Sequence, residues 1–248
     1  MKIEILSPSY NRPDTAKTQE LVPGCRYVVH QFEKRSYEKA GKDVIAIPNK
    51  LQGNIARVRN WILDHFNPVL MLDDDIKRIS RWNEQKKVSL TGDAISEFIE
   101  QGFYLAKEYG ARLWGLNLLT DKAAYREYTP FAFRSIVLGP WHGHIDNECR
   151  FDEALTLKED YDMSLQVLNR YRRTLRFNAY HYECDHFNVE GGCAGYRTMA
   201  RERDQFEALQ KKWGSDIIRI DHQGGQVNQG KATQWDLNPI VRVPINGV

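Results

Sequence analysis

Cysteine is scarce: four residues in 248, at positions 25, 149, 184 and 193, with no CxxC pair among them. That spacing excludes a small disulfide-stapled fold and a paired-thiol zinc ribbon, and it reads as reduced, mostly buried thiols of a cytoplasmic protein. Long apolar runs are missing too. Nothing approaches the roughly 20 residues of a membrane span, and the opening MKIEILSPSY runs from one Lys into a short strand where a signal peptide would carry its apolar stretch. An excess of either charge is also absent. The 35 Lys+Arg against 33 Asp+Glu leave a net +2, which excludes a globally basic, histone-like binder and an acidic disordered chain. There are no repeats and no linker. What is present is 42% hydrophobic residues and 11% aromatics, enough for a sizeable core in one domain spanning residues 1–248.

The pattern is α/β. Ile3, Ile5 and Leu6 form an apolar run that ends at the SPSYNRP loop, punctuated by Pro8 and Pro13. CRYVVHQF and DVIAIP are strands, separated by a short SYEKAG helix. Ile55, Val58, Ile62 and Phe66 recur at helical spacing, and the fully apolar VLML strand follows. Strands alternating with helices of this length predict βαβ units and a mostly parallel central sheet flanked by helices. Residues 77–91 read as a short strand and a loop, and Gly92 to Tyr109 as an amphipathic helix. Strands are expected at ARLWGLNLL, RSIVLGPW and TLRFNAYHYEC, a helix from Thr198 to Trp213, and a late strand at IVRVPI.

Three adjacent carboxylates, Asp73, Asp74 and Asp75, end the VLML strand. In parallel α/β sheets ligands bind beyond the carboxyl ends of strands. Adjacent carboxylates repel, so a cation or donors must compensate them. Mn²⁺ or Mg²⁺, held by one or two carboxylates plus diphosphate oxygens, suits that chemistry. The bland alternative is a solvated strand end. A second acidic group, Glu159, Asp160 and Asp162, opens a helix, where the dipole alone would favour it. His181, Cys184, His186 and Cys193 superficially spell a zinc site. However, the apparent strand through them points His181 and Cys184 to opposite faces.

Taken together, ILSPSYNRP, GNIARVRNWILDHFNPVLMLDDD and FDEALTLKEDYDMSL resemble the GT-A fold of nucleotide-sugar glycosyltransferases. The first resembles that fold's opening strand and nucleotide loop. The second resembles its glycine-led Ala-Arg-Asn helix feeding the metal-binding DxD strand, and the third its xED motif. The resemblance implies a UDP-sugar donor lying in residues 1–91, an acceptor half in 92–220 and a C-terminal tail in 221–248. Pro8, Ser9 and Tyr10 would line the nucleobase, with Arg12 and Arg57 contacting charge. Asp73 would lie toward the ribose with Asp74 beside it, and Asp75 and Asp73 would hold the metal. His186 would complete the metal shell, with His222 second in line. Asp160, last of the xED pattern, would be the base, with Glu159 the alternative. An xED base implies inversion at the anomeric carbon.

Within that fold the chain resembles the TET-associated and base-J-type DNA glycosyltransferases, many of them phage-encoded, in SPSYNRP, in LDDDI followed by a basic strand, and in EDYDMSLQ. That likeness implies DNA bearing 5-hydroxymethylcytosine as acceptor, in the cytoplasm of an infected host, with no membrane and no obligate protein partner. A glycan, lipopolysaccharide or protein acceptor is the competing reading, and a non-catalytic DNA-binding scaffold a further one. Residues 76–88 carry five bases and one acid, and Arg170, Arg172, Arg173 and Arg176 cluster further on. Both groups could track phosphates, or be solvated surface. In the aromatic stretch before the second acidic group, Trp141 is expected to wall the acceptor site and His142 or His144 to hydrogen-bond the acceptor, the bland alternative being a buried Trp that packs a loop, with Arg172 and Arg173 on the nucleic acid.

Overall fold

The structure, a computed structural model, describes residues 2–84, 86–118, 125, 127–184, 197–220 and 237–243. Its first half is built as the pattern dictates. Strands β1 (Glu4–Pro8), β2 (Cys25–His30), β3 (Val44–Ile47) and β4 (Val69–Leu72) are parallel neighbours in the order β3-β2-β1-β4. The helices α1 (Thr18–Leu21), α2 (Lys34–Lys39) and α3 (Ile55–His65) connect them. Asn54 starts α3 by accepting the Ala56 amide on its side chain at 3.0 Å.

The second half is mixed. β5 (Ile76–Asn83) and β6 (Lys86–Leu90) form an antiparallel hairpin, so the stretch expected as one strand and a loop is two strands. α4 (Gly92–Glu108) leads to β7 (Leu113–Asn117). Residues 133–139 are not a strand. Instead β8 is the short Phe131–Ala132, and Trp141–His144 form β9, which enters antiparallel between β4 and β7. The shift has a steric cause. Gly115 and Gly143 lack the Cβ that would meet Val137 and Trp114, so Val137 crosses over β7 and β9 slips in beside it. α5 (Glu159–Tyr171) is followed by β10 (Leu175–Cys184), which pairs parallel with β7 and antiparallel with β5 and β8. α6 (Met199–Trp213) and the separate pair β11 (Ile218–Ile220) and β12 (Pro239–Val241) complete the described chain.

The sheet has two apolar faces. One packs Leu70, Leu72, Trp114, Leu116, Trp141 and Phe177 against α4. The other packs Leu6, Val69, Met71 and Leu113 against α3 and α5, through Ile62, Met163 and Val167. Because β9 runs against both β4 and β7, the strands β1, β4, β7 and β10 all point the same way. Their carboxyl ends form one rim.

Candidate active site at the carboxyl rim

At the end of β1 the chain turns sharply. Asn11 takes a left-handed φ of 55°, which Asn tolerates better than most residues. The turn brings Arg12 back over Ser9. The Arg12 amide donates to the fully buried Tyr37 hydroxyl at 3.0 Å, which lies 2.7 Å from the Ser9 hydroxyl. Ser9 Oγ donates to one Asp74 oxygen at 2.5 Å, and Arg12 Nη1 to the other at 2.7 Å. Asp74 is 5% exposed. Burial raises its carboxyl above the ordinary range, with Arg12 and Ser9 opposing that rise. The middle carboxylate of the triplet is therefore the one locked against the Ser9–Arg12 loop.

The triplet backbone is clamped as well. Lys17 N–H donates to the Asp74 carbonyl at 2.9 Å, Thr18 Oγ1 to the Asp73 carbonyl at 2.6 Å, and the Asp73 amide to the Pro140 carbonyl at 3.2 Å. Thr18 Oγ1 also accepts the Ile76 amide at 3.0 Å, where β5 begins.

Asp73 is the more open carboxylate, with a third of its side chain exposed. Its partner is Arg59, which sequence reasoning missed. Arg59 Nη2 donates to Asp73 at 3.1 Å and Nη1 to Glu159 at 2.6 Å, and its side chain also stands over the Phe151 ring. Arg57, the residue expected there, lies on the outer side of α3 in an exposed pair with Glu153 at 2.8 Å. Helical spacing explains the exchange. Residues 57 and 59 are about 200° apart around the axis, and the buried stripe through Ala56, Arg59 and Ile62 is the sheet-facing one. That stripe was legible in the sequence, but an arginine on it did not register as core.

Glu159 opens α5 and is buried. Burial pushes its carboxyl above the ordinary range, Arg59 pulls it down, and Asp160 adds to the rise. Asp160 is partly exposed; its Oδ2 accepts the Gly139 amide at 3.0 Å and its Oδ1 the Tyr161 amide at 2.8 Å. Asp162 is fully buried and holds α6, accepting from Trp213 Nε1 at 2.8 Å and Lys212 Nζ at 3.0 Å. The three acids at the start of α5 thus have three different tasks.

Pro8 ends β1, and the Tyr10 ring stands at its mouth. Tyr10 is edge-on to His30 and Phe32, with centroids at 5.8 and 6.5 Å, and its hydroxyl accepts from Gln52 Nε2 at 2.8 Å. Phe32 is half exposed. The rings of His30 and Phe32 were not expected at this mouth.

The residues expected at the acceptor site are elsewhere. Trp141, His142 and His144 are buried in β9, at 0%, 3% and 1% exposure. Burial, with Arg59 nearby, depresses both imidazoles, His144 to about 3. They are core residues of an interior strand and cannot touch a macromolecule. Arg172 and Arg173 follow the last turn of α5, whose 13 residues span roughly 20 Å from Glu159. They lie at the opposite end of the sheet, where Arg173 donates to the Tyr109 carbonyl at 2.8 Å. His186, Cys193 and His222 lie outside the described residues. Among the described residues no group of three His, Cys, Asp or Glu side chains is arranged for a metal ion, and no helix is long and apolar enough to cross a membrane.

Comparison with known proteins now bears on this geometry. No curated protein sequence matches the chain. Among solved structures it is similar to S. aureus TarS 1–349, at 16% identity and a TM-score of 0.45 over 73% of this chain and 59% of that one. A longer S. aureus TarS chain gives 17% identity and a TM-score of 0.42 over 73% of this chain and 36% of that one. TarS 1–349 in complex with UDP gives 15% and 0.41 over 86% and 72%. A family model described as TET-associated glycosyltransferase matches residues 4–192 of the 248. The chain spans little more than half of the TarS 1–349 chain, and it belongs to the TET-associated glycosyltransferase family.

Proposed function

We propose that the carboxyl rim binds a UDP-sugar and that Asp160 deprotonates an acceptor hydroxyl, transferring the sugar with inversion to 5-hydroxymethylcytosine in DNA. The observation that carries the reading is the Arg59 bridge. By holding Asp73 and Glu159 together, it fixes the first turn of α5 against the end of β4. Asp160, next along that turn, is then the partly exposed carboxylate beside the strand end. The Gly139 amide orients it, leaving it able to accept a proton. Tyr10, with Phe32 alongside, offers an aromatic face to the base, and Pro8 and Ser9 border it.

The acids here suit a hard cation. Arg12 and Arg59 are bonded to Asp74, Asp73 and Glu159, and Asp75 and Asp160 add to the acid side. Asp73 and Asp75 would hold Mn²⁺ or Mg²⁺, which when bound would neutralise the leaving diphosphate as a Lewis acid. The chain's own part is to position the donor through the loop at Ser9–Arg12, to keep Asp74 from facing it, and to accept the proton at Asp160.

The acceptor reading is supported by the family resemblance and by the basic hairpin β5–β6. That hairpin begins directly after Asp75 and exposes Lys77, Arg81, Lys86 and Lys87. The test is mass spectrometry of hydroxymethylcytosine DNA after incubation with a panel of UDP-sugars and Mn²⁺. A hexose-sized mass gain on hydroxymethylated but not plain cytosine DNA supports the reading. Transfer to a glycan and none to DNA overturns the acceptor.

A further inference from the structure

The Ser9–Arg12 loop is held from behind by the corner that joins β2 to α2. Glu33 caps α2 and Tyr37 lies one turn further on, so the two stand on one face of the corner. They take two consecutive loop amides. Glu33 Oε1 accepts the Asn11 amide at 2.6 Å, and the Tyr37 hydroxyl accepts the Arg12 amide at 3.0 Å. Both residues are interior, at 8% and 0% exposure. The Tyr37 ring is fixed in a cluster with Ala16, Tyr27 and Val29. Between them these acceptors pin the left-handed Asn11, whose φ is 55°. A non-glycine residue stays in that region only where its surroundings over-determine it, and such residues gather at ligand sites.

The chain of hydroxyls has one direction. Ser9 Oγ donates its single proton to Asp74, so in the 2.7 Å contact between Ser9 and Tyr37 it is Tyr37 that donates. The order runs from the Arg12 amide to Tyr37, from Tyr37 to Ser9 and from Ser9 to Asp74, and Arg12 Nη1 takes the second Asp74 oxygen. Burial pushes the Tyr37 hydroxyl up to about 12, so it keeps the proton that this order needs. Glu33 also reaches the aromatic mouth. Its second oxygen lies 3.6 Å from His30 Nδ1, and the Tyr10 ring is edge-on to that imidazole.

We propose that Glu33 and Tyr37 are positioning residues for the nucleoside diphosphate: they hold the Ser9–Arg12 loop, with Tyr10 and Asp74 attached to it, in its receiving shape before the donor arrives. Both act through the loop amides. A loop that had to be ordered during binding would subtract that ordering from its affinity, and one already ordered does not. The inference rests on the UDP-sugar reading above.

The test is calorimetric titration of UDP, with Mn²⁺ present, into the wild type, Tyr37→Phe, Glu33→Ala, Glu33→Gln and Tyr27→Phe, with thermal midpoints measured alongside. Tyr37→Phe keeps the ring and deletes the relay hydroxyl. Its Kd for UDP should rise about tenfold, the scale of one lost hydrogen bond. Glu33→Ala should do the same, and Glu33→Gln, which keeps an oxygen for the Asn11 amide, should restore most of the affinity. Tyr27→Phe is the control for plain destabilisation. Tyr27 sits in the same cluster, and its hydroxyl accepts the Gln19 amide at 3.1 Å, outside the loop. The midpoints of Tyr27→Phe and Tyr37→Phe should both fall, while the Kd for UDP changes only in Tyr37→Phe. Tyr37→Phe is the milder of the two loop changes and keeps the test informative should Glu33→Ala unfold the chain. An unchanged Kd in Tyr37→Phe and Glu33→Ala, or an equal loss of affinity in Tyr27→Phe, overturns the positioning role and leaves the donor reading standing. No binding of UDP by the wild type overturns both.

Discussion

The two ends of the sheet carry the same kinds of ion pair in opposite settings. At the carboxyl rim, Arg12–Asp74 and Arg59–Glu159 have side chains no more than 11% exposed. At the amino end, Arg112–Asp146, Arg150–Asp64 and Arg170–Glu148 range from 38% to 68%. Water screens the second set, so each is worth about 0–1 kcal/mol. The first set is shielded, so each partner depends on the other to offset its desolvation. What distinguishes the rim cluster from surface charge in this molecule is burial, not residue type.

The sharpest way to test that contrast is Arg59→Met against Arg112→Met. Losing Arg59 strands Glu159 and Asp73, and should cost about 3–5 kcal/mol, the scale for breaking a buried pair. Losing Arg112 should cost less than about 1 kcal/mol. Urea denaturation of both variants measures the difference, and equal losses would erase the distinction.

Asp160→Asn comes next and separates chemistry from architecture. It keeps the side chain's size and can still accept the Gly139 amide, but it takes no proton. Transfer should fall roughly 100-fold or more, with the unfolding midpoint unchanged. Should Glu159→Gln prove the damaging change in turnover while Asp160→Asn is silent, the base is misassigned.

The pH dependence of stability concerns the buried β9 histidines. His144 is held down to about 3 in the fold, by burial first and then by Arg59 and Arg150, against about 6.5 unfolded. Between those values the unfolded chain binds a proton that the native one refuses. Stability is thus fully present above about 6.5 and is lost as pH falls toward 3, by up to about 1.4 kcal/mol per pH unit from this one ring. His142 is depressed for the same main reason, burial, and adds to the slope. Denaturation curves for wild type and His144→Asn between pH 6.5 and 4 should diverge in slope, and parallel curves would contradict the burial argument.

The smallest effect is expected at the amino end. Neutralising Arg172 and Arg173 together should alter the KM for DNA by less than about twofold, as for surface changes away from a site. A large rise, or a shallower salt dependence of binding, would mean that nucleic acid reaches that end.

Periodicity made the parallel half readable: β1 to β4, α3 and the acidic strand end follow from local pattern, because each element buries one face against the next. The mixed half resisted for steric reasons. β9 is four residues long and exists because Gly115 and Gly143 let Val137 and Trp114 come close, a fit between segments far apart in sequence. Aromatic Trp141 and His142 looked like site residues, since nothing local distinguishes a binding wall from a core strand. The opposite error hid Arg59, a charged residue on a buried stripe whose partners, Asp73 and Glu159, are 14 and 100 positions away.

By itself the sequence determined the chemical inventory and its order: a proline-punctuated loop, an arginine-bearing helix, an acidic strand end and an acidic helix start. Hydrophobic spacing is local, so it also determined most elements. Which arginine serves the site, which acid is locked and which is open, and which aromatics are interior were decided only by the tertiary structure. Burial and low dielectric are properties of the packed molecule, and they arise only when distant segments meet.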